Sequence, residues 1–236
     1  MTTNPSASSA DVPAAPVAVL FDMDGTLIDT EPFWHRAQAR LFAEHGVTWT
    51  EAQSDSLIGE PIDWAAARAL EMTGAPMSVE ELVEGQVAGV LRIEAEEGLP
   101  WRPGAVELLT ALRDAGVPCA LVTSSYRPLT TQMVQDAPQG VFGAIVPADD
   151  VANHKPHPEP YLTGARLLGV DPARCVAIED SPAGATAALA AGCRTIAVPN
   201  HVDIPAAPGL SYAASLEQLD LPTLAAIGAG QTLDLR

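Results

Sequence analysis

The sequence predicts a doubly wound α/β fold carrying a helical insertion near its start. Two observations predict it. From about residue 100 onward, short unbroken apolar runs alternate with helix-like stretches. Before that, from Pro32 to about Gly98, there are helical patterns and no strand-like run.

The first ordered element is Val17-Ala-Val-Leu-Phe21, an apolar run that ends in acidic residues. Similar runs occur at Pro118–Thr123, Gly143–Pro147, Cys175–Glu179 and Thr195–Pro199. Continuous apolar runs of this length, bounded by turn signals, suit strands buried on both faces of a parallel sheet. Helix-like stretches separate them: Gly104–Gly116, Leu129–Asp136, Glu159–Gly169 and Pro182–Gly192. Gly116 and Gly192 each stand between a helical stretch and the next strand, where a helix stop is expected. This alternation predicts right-handed βαβ crossovers and a five-stranded parallel core.

The interrupting segment carries three helical patterns, Phe33–His45, Asp63–Met72 and Val79–Glu97. The prolines of Leu99-Pro-Trp-Arg-Pro-Gly104 resist helix and suit a hinge. A flexible tail (1–15), an α/β core (16–31 and 101–236) and a helical cap (32–100) are therefore expected, the cap being long enough for a small bundle. The Pro-rich Val198–Pro208 reads as a surface loop.

The composition excludes several roles. Lys and Arg total 12 against 30 Asp and Glu, a formal net charge of −18. Such a field disfavours nucleic acid and anionic membranes, where binding depends on basic side chains. It also opposes an anionic substrate, so a phosphate site would need local compensation. No apolar run approaches the ~20 residues that span a bilayer. The tail has no Lys or Arg and so lacks the charged front of a signal peptide. Three scattered cysteines, Cys119, Cys175 and Cys193, fit neither a disulfide framework nor a zinc site. A cytoplasmic protein is the expectation, and nothing demands more than a monomer.

The densest chemistry lies in Phe21-Asp-Met-Asp-Gly-Thr-Leu-Ile-Asp-Thr-Glu31. A buried strand delivers Asp22 and Asp24 at its carboxyl end, where ligands of open α/β sheets bind. Two carboxylates so placed are costly without a cation or a functional proton. Gly25 allows a sharp exit from the strand. Ala120-Leu-Val-Thr-Ser-Ser125 ends a second strand in hydroxyls. His154-Lys-Pro-His-Pro-Glu-Pro160 holds the only lysine of the chain, Lys155, a compact charge suited to phosphate. Val176-Ala-Ile-Glu-Asp-Ser-Pro-Ala-Gly184 ends a further strand in Glu179 and Asp180, with Ser181 and Pro182 placed to start a helix. Mg²⁺ favours hard oxygen ligands of this kind. There is no GxxxxGK loop, no GxGxxG after a strand, no GxSxG elbow and no HExxH helix.

These four strings, in this order, resemble the motifs of the haloacid dehalogenase superfamily, in its β-phosphoglucomutase-like branch of phosphatases and phosphomutases with a helical cap. The resemblance spans Val17 to Val198. It implies a Rossmann-like core and a phosphatase acting on a small sugar- or polyol-like phosphorylated metabolite through an aspartyl phosphate. By position, Asp22 matches the nucleophile and Asp24 the acid/base. Thr123, the backbone after it at Ser124, and Lys155 match the phosphate-binding groups. Asp22, the Asp24 carbonyl, Asp180 and Glu179 match the Mg²⁺ site. Substrate choice in the branch depends on the cap, here Glu31, Trp34 and the loop Gly59-Glu60-Pro-Ile-Asp63. Two rivals stand beside this reading. A mutase would want a histidine at Trp34 and an arginine in the Gly59 loop, a place Arg68 could serve from a cap helix. A metal-independent 2-haloacid dehalogenase would lack Asp24.

Overall fold

The computed structural model describes residues 15–57 and 62–236. Gly59, Glu60 and nearly all of the expected tail lie outside the described residues. One parallel sheet contains β1 (Ala18–Phe21), β2 (Cys119–Val122), β3 (Phe142–Val146), β4 (Cys175–Glu179), β5 (Arg194–Ala197), β6 (Leu210–Ala213) and β7 (Asp234–Leu235). Their order is β3-β2-β1-β4-β5-β6-β7. Among the described residues, the expected five strands are thus seven. Ser211 breaks the apolar run of β6 and β7 is two residues long, so neither shows the signature of a buried strand.

β1 runs between β2 on one side and β4 on the other. The connection order reverses there, so the carboxyl ends of β1 and β4 border the crevice where doubly wound sheets bind ligands. The alternation of strand side chains divides the core. Val19 and Phe21 of β1 pack with α5 (Ala105–Asp114), α6 (Arg127–Asp136) and α9 (Leu221–Gly228). Ala18 and Leu20 face α7 (Glu159–Leu168) and α8 (Pro182–Ala190) instead. All four side chains are fully buried, each larger one contributing ~1.5–3 kcal/mol.

Among the described residues, four helices lie between β1 and α5: α1 (Glu31–Glu44), α2 (Glu51–Asp55), α3 (Ile62–Thr73) and α4 (Val79–Glu97). The first begins one residue before the expected boundary. α2 is too short to show a period, though Thr50 and Gln53 form a capping box at its start. These helices have a core of their own around Phe42, Trp49, Ala66, Ala69 and Leu82. The rings of Phe42 and Trp49 stack at 4.8 Å. α1 and α4 meet closely because α4 presents glycines one turn apart. A Cβ on Gly85 would sit 2.7 Å from Leu41, and one on Gly89 would sit 2.8 Å from Ala37.

The chain leaves and re-enters the core through adjacent segments. Ile28 bridges Trp101 antiparallel. Asp29 N donates to Pro100 O at 2.9 Å, and Arg102 N to Leu27 O at 2.9 Å. The expected hinge around Leu99–Gly104 is therefore a paired strap, set beside the acidic end of β1.

Candidate active site

The end of β1 carries Asp22 and Asp24, and the end of β4 carries Glu179 and Asp180. Asp22 N donates to Ile178 O at 3.1 Å, which extends the sheet ladder to the first carboxylate. Beyond it the backbone turns sharply at Gly25, where φ is +82°. A side chain there is excluded twice. The φ value is strained for an L residue, and a Cβ would lie 1.9 Å from Asp180 Oδ2.

Lys155 enters from the loop before α7 and is almost wholly buried. Its Nζ donates to Asp22 Oδ1 at 2.6 Å, Glu179 Oε1 at 2.6 Å and Val122 O at 3.0 Å. Three protons meet three acceptors, so a phosphate would reach this ammonium only by displacing one of them. Glu179 has no solvent exposure. Its Oε1 accepts from Lys155 and, at 2.6 Å, from the buried Tyr161 hydroxyl; its Oε2 accepts from Ser181 Oγ at 3.1 Å and Ser181 N at 3.4 Å. The side chain lies against Gly184 in the first turn of α8, where any Cβ would collide with it. Ser181 in turn caps α8, accepting from Gly184 N at 3.1 Å.

Asp24 is oriented away from Lys155 by two hydroxyls. Thr30 Oγ1 donates to its Oδ1, and Ser125 Oγ to its Oδ2 at 2.6 Å. Thr123 is buried, and its Oγ1 accepts from Ser125 N at 2.9 Å. That backbone N–H is therefore engaged, while the Thr123 hydroxyl proton has no acceptor among the described residues. Ser124 is exposed and lines the cleft. Arg102 reaches the loop behind the site, donating to the carbonyls of Gly25, Val198 and Pro199.

Asp22, Glu179 and Asp180 each offer an oxygen within 4.8 Å of the others. With Asp24, four carboxylates lie in this region beside one ammonium, which of the four bonds only Asp22 and Glu179. Burial raises the Asp22 carboxyl to about 7; Lys155 opposes the rise, and Glu179 and Asp24 reinforce it. Burial, followed by Asp22 and Glu179, raises Asp180 well above the usual range, against Lys155 and Arg102. Asp24 is also raised by burial, with its bonds from Ser125 and Thr30 opposing. Burial favours the neutral form of Lys155, but Asp22 and Glu179 outweigh it and raise its pKa. One lysine held firmly protonated, amid carboxylates that remain short of positive charge, is the donor chemistry a divalent cation fits. Asp180 has the most free capacity in that set, since its one hydrogen bond, from Thr26 Oγ1, is 3.5 Å long. Glu179 has the least, because four donors already occupy its oxygens.

Above this floor lies a cleft of about 280 Å³, small on the usual scale of ligand pockets, about 300–1,000 Å³. Its far wall is formed by Glu31, Trp34, His35 and Gln38 of α1, Asp63 of α3 and Gln86 of α4. Tyr126 of the core reaches across, its hydroxyl 3.3 Å from Asp63 Oδ2. Arg68 faces elsewhere, exposed and paired with Glu71 at 2.7 Å. His154 lies at the mouth, and His157 accepts from Glu159 N. Burial, with the nearby Asp24, raises the Glu31 carboxyl to about 7. Thr30, Ser125, Tyr161, Arg102, Gln38 and Gln86 were not singled out by sequence. Thr30 and Ser125 belong to strings already read as motifs, while the other four become visible only through tertiary contact.

The family description "Haloacid dehalogenase-like hydrolase" matches residues 19–198. The chain belongs to that family. It is 38% identical over 188 residues to hexitol phosphatase A of Escherichia coli, covering 79% of this chain and 84% of that one. The CbbY protein of Rhodobacter sphaeroides, solved with phosphate, superposes with a TM-score of 0.81 at 30% identity, over 89% of this chain and 99% of that one. A variant of that protein, solved with xylulose-(1,5)bisphosphate, gives 0.79 at 30% identity with the same coverage.

Proposed function

We propose that this protein is a Mg²⁺-dependent phosphatase that hydrolyses a small sugar or polyol phosphate through an aspartyl phosphate on Asp22. The observation that carries the reading is the convergence of Asp22, Asp24, Asp180 and Lys155 at the switch point of the sheet, beneath a small cleft. The likeness to a hexitol phosphatase supports the same class of substrate.

Asp22 attacks phosphorus, which divides hydrolysis into formation and cleavage of an acyl phosphate. Asp24, kept off Lys155 by Thr30 and Ser125, gives a proton to the leaving alcohol and then takes one from the attacking water. Thr123 and the backbone at Ser124 orient phosphoryl oxygens. Lys155 supplies fixed positive charge beside the nucleophile. Asp22, the Asp24 carbonyl and Asp180 would hold Mg²⁺, which when bound neutralises carboxylate and phosphoryl charge; Glu179, its oxygens already taken by four donors, would stand behind them as a support. The helices α1–α4 act as a cap that shields the first step from water. Glu31 and Trp34 face the substrate from it.

The mutase reading has less support. Its second phosphate needs a cation on the cap, and among the described residues no arginine lines the cleft. Phosphate release from a hexitol phosphate with Mg²⁺ tests the proposal. The rate is expected to vanish in chelator, and to fall on the order of 10³-fold or more in Asp22→Asn with unchanged circular dichroism. Full activity in chelator would return the protein to the dehalogenase reading. A tenth or more of the rate surviving in Asp22→Asn would exclude the covalent route.

A further inference from the structure

The cleft wall contains an amide whose orientation can be deduced. Trp49 Nε1 donates to Gln38 Oε1 at 3.0 Å and to Ser54 Oγ at 2.6 Å, and Ser54 Oγ donates to Gln38 Oε1 at 2.6 Å. An indole N–H can only donate. The oxygen of Gln38 must therefore face Trp49 and Ser54, and the amide nitrogen is the end left for the cleft. A second amide lies across the α1–α4 contact. Gln86 is 3% exposed and lines the same cleft. Its side chain has no hydrogen-bond partner among the described residues. An amide on the wall of a cleft can exchange water for the hydroxyl of a bound ligand.

We propose that Gln38 and Gln86 determine specificity by hydrogen-bonding hydroxyl groups on the uncharged tail of the phosphorylated substrate, Gln38 as a donor only and Gln86 as donor and acceptor. The proposal rests on the phosphatase reading and extends it to the distal half of the substrate. Hydroxyls suit this wall because each can both give and accept a bond. A second phosphate or a carboxylate does not, because Glu31 and Asp63 line the wall and Lys155 is already committed to three acceptors. Trp49 and Ser54 serve as positioning residues. They hold Gln38 in one of its two amide orientations before the ligand arrives, which removes an ordering cost on binding.

The test measures kcat/KM for a hexitol 6-phosphate and for acetyl phosphate, whose tail is too short to reach the wall. The unsubstituted protein is compared with Gln38→Met, Gln86→Met and Trp49→Phe. Methionine matches the length of glutamine without its polar atoms, and phenylalanine keeps the ring stacking on Phe42 while losing the N–H. The ratio of the two kcat/KM values is expected to fall about tenfold in each methionine variant, mainly through the hexitol phosphate KM. It should fall by a smaller factor in Trp49→Phe. A ratio within twofold of the original in both methionine variants, with acetyl phosphate still hydrolysed, overturns the proposal and leaves the phosphatase reading intact. Choline phosphate outrunning the hexitol phosphate also overturns it, because the acids rather than the amides would then read the tail. If the unsubstituted protein releases phosphate from neither the hexitol phosphate nor acetyl phosphate, both readings fail together.

Discussion

The floor of the cleft and its helical wall are both polar, the floor the more deeply buried, and they treat their polar atoms differently. On the floor, Lys155 has an acceptor for each of its three protons and Glu179 a donor for each lone-pair site. Asp24 is tied at both oxygens. Among the described residues, the buried polar side-chain atoms without a hydrogen bond are His35 Nε2, Glu94 Oε2 and Asn200 Nδ2; the first two belong to α1 and α4, and His35 Nε2 lies 3.4 Å from Asp55 Oδ1. Gln38 and Gln86, also on α1 and α4, line the cleft, and neither the Gln38 Nε2 nor the Gln86 amide bonds a described residue. A fully satisfied network fixes geometry, as charge stabilisation of a transition state requires. A partly satisfied one tolerates an unpaired cost in return for contacts that a ligand can complete.

The comparison breaks most visibly if the floor tolerates a change of shape. Lys155→Arg keeps the charge, but a planar fork cannot place one nitrogen against Asp22, Glu179 and Val122 together. Its kcat is expected to fall on the order of 10²–10⁴-fold, the range for loss of one preorganised electrostatic group. Rates within tenfold of the original would mean the floor supplies charge without geometry. A smaller effect is expected from Thr30→Val, which removes one hydroxyl from Asp24 at nearly constant volume. A loss of about tenfold in kcat, with most activity kept in Thr30→Ser, would mark the bond itself as the cause. Equal losses in both variants would point to packing instead.

The two regions also differ in how far they could be read from sequence. Asp22 and Asp24 stand two residues apart at the end of one apolar run, and Glu179 and Asp180 adjacent at the end of another, because a strand delivers neighbouring residues to one edge of a sheet. Lys155 was conspicuous as the only lysine. The wall offers no such contiguity. Gln38, Trp49, Ser54 and Gln86 come from three helices and a loop, and only packing brings them together. The close approach of α1 and α4 had a weak signature in Gly85 and Gly89, which within a helix read first as blemishes. In the sheet, the omission of β6 and β7 has the same origin, since both are edge-side strands without a continuous apolar run.

Glu94 gives the smallest expected effect and tests whether the unpaired groups of the helical wall carry a cost where no ligand is expected. It is 3% exposed and one of its oxygens has no partner. Burial raises its carboxyl from 4.5 to about 7, with Asp24 and Asp136 adding repulsion. A carboxyl whose pKa is raised on folding binds more protons in the folded chain than in the unfolded one between those two values. Its favourable contribution is therefore complete below about pH 4.5 and is lost as pH climbs through about 7. Glu94→Gln keeps the shape and deletes the ionisation. It should match the parent near pH 4, where the parent holds the proton in both the folded and the unfolded chain, and exceed it at pH 8. The gain at pH 8 should be on the order of 1 kcal/mol after relaxation and partial hydration, which is about 2–4 °C in Tm for a chain of this size. Melting curves at the two pH values measure it. An equal gain at both would assign the effect to helix propensity or packing. A loss at pH 8 would mean that the Glu94 carboxylate is compensated in the folded chain, and the contrast between a satisfied floor and an unsatisfied wall would then hold only for the residues that face the cleft.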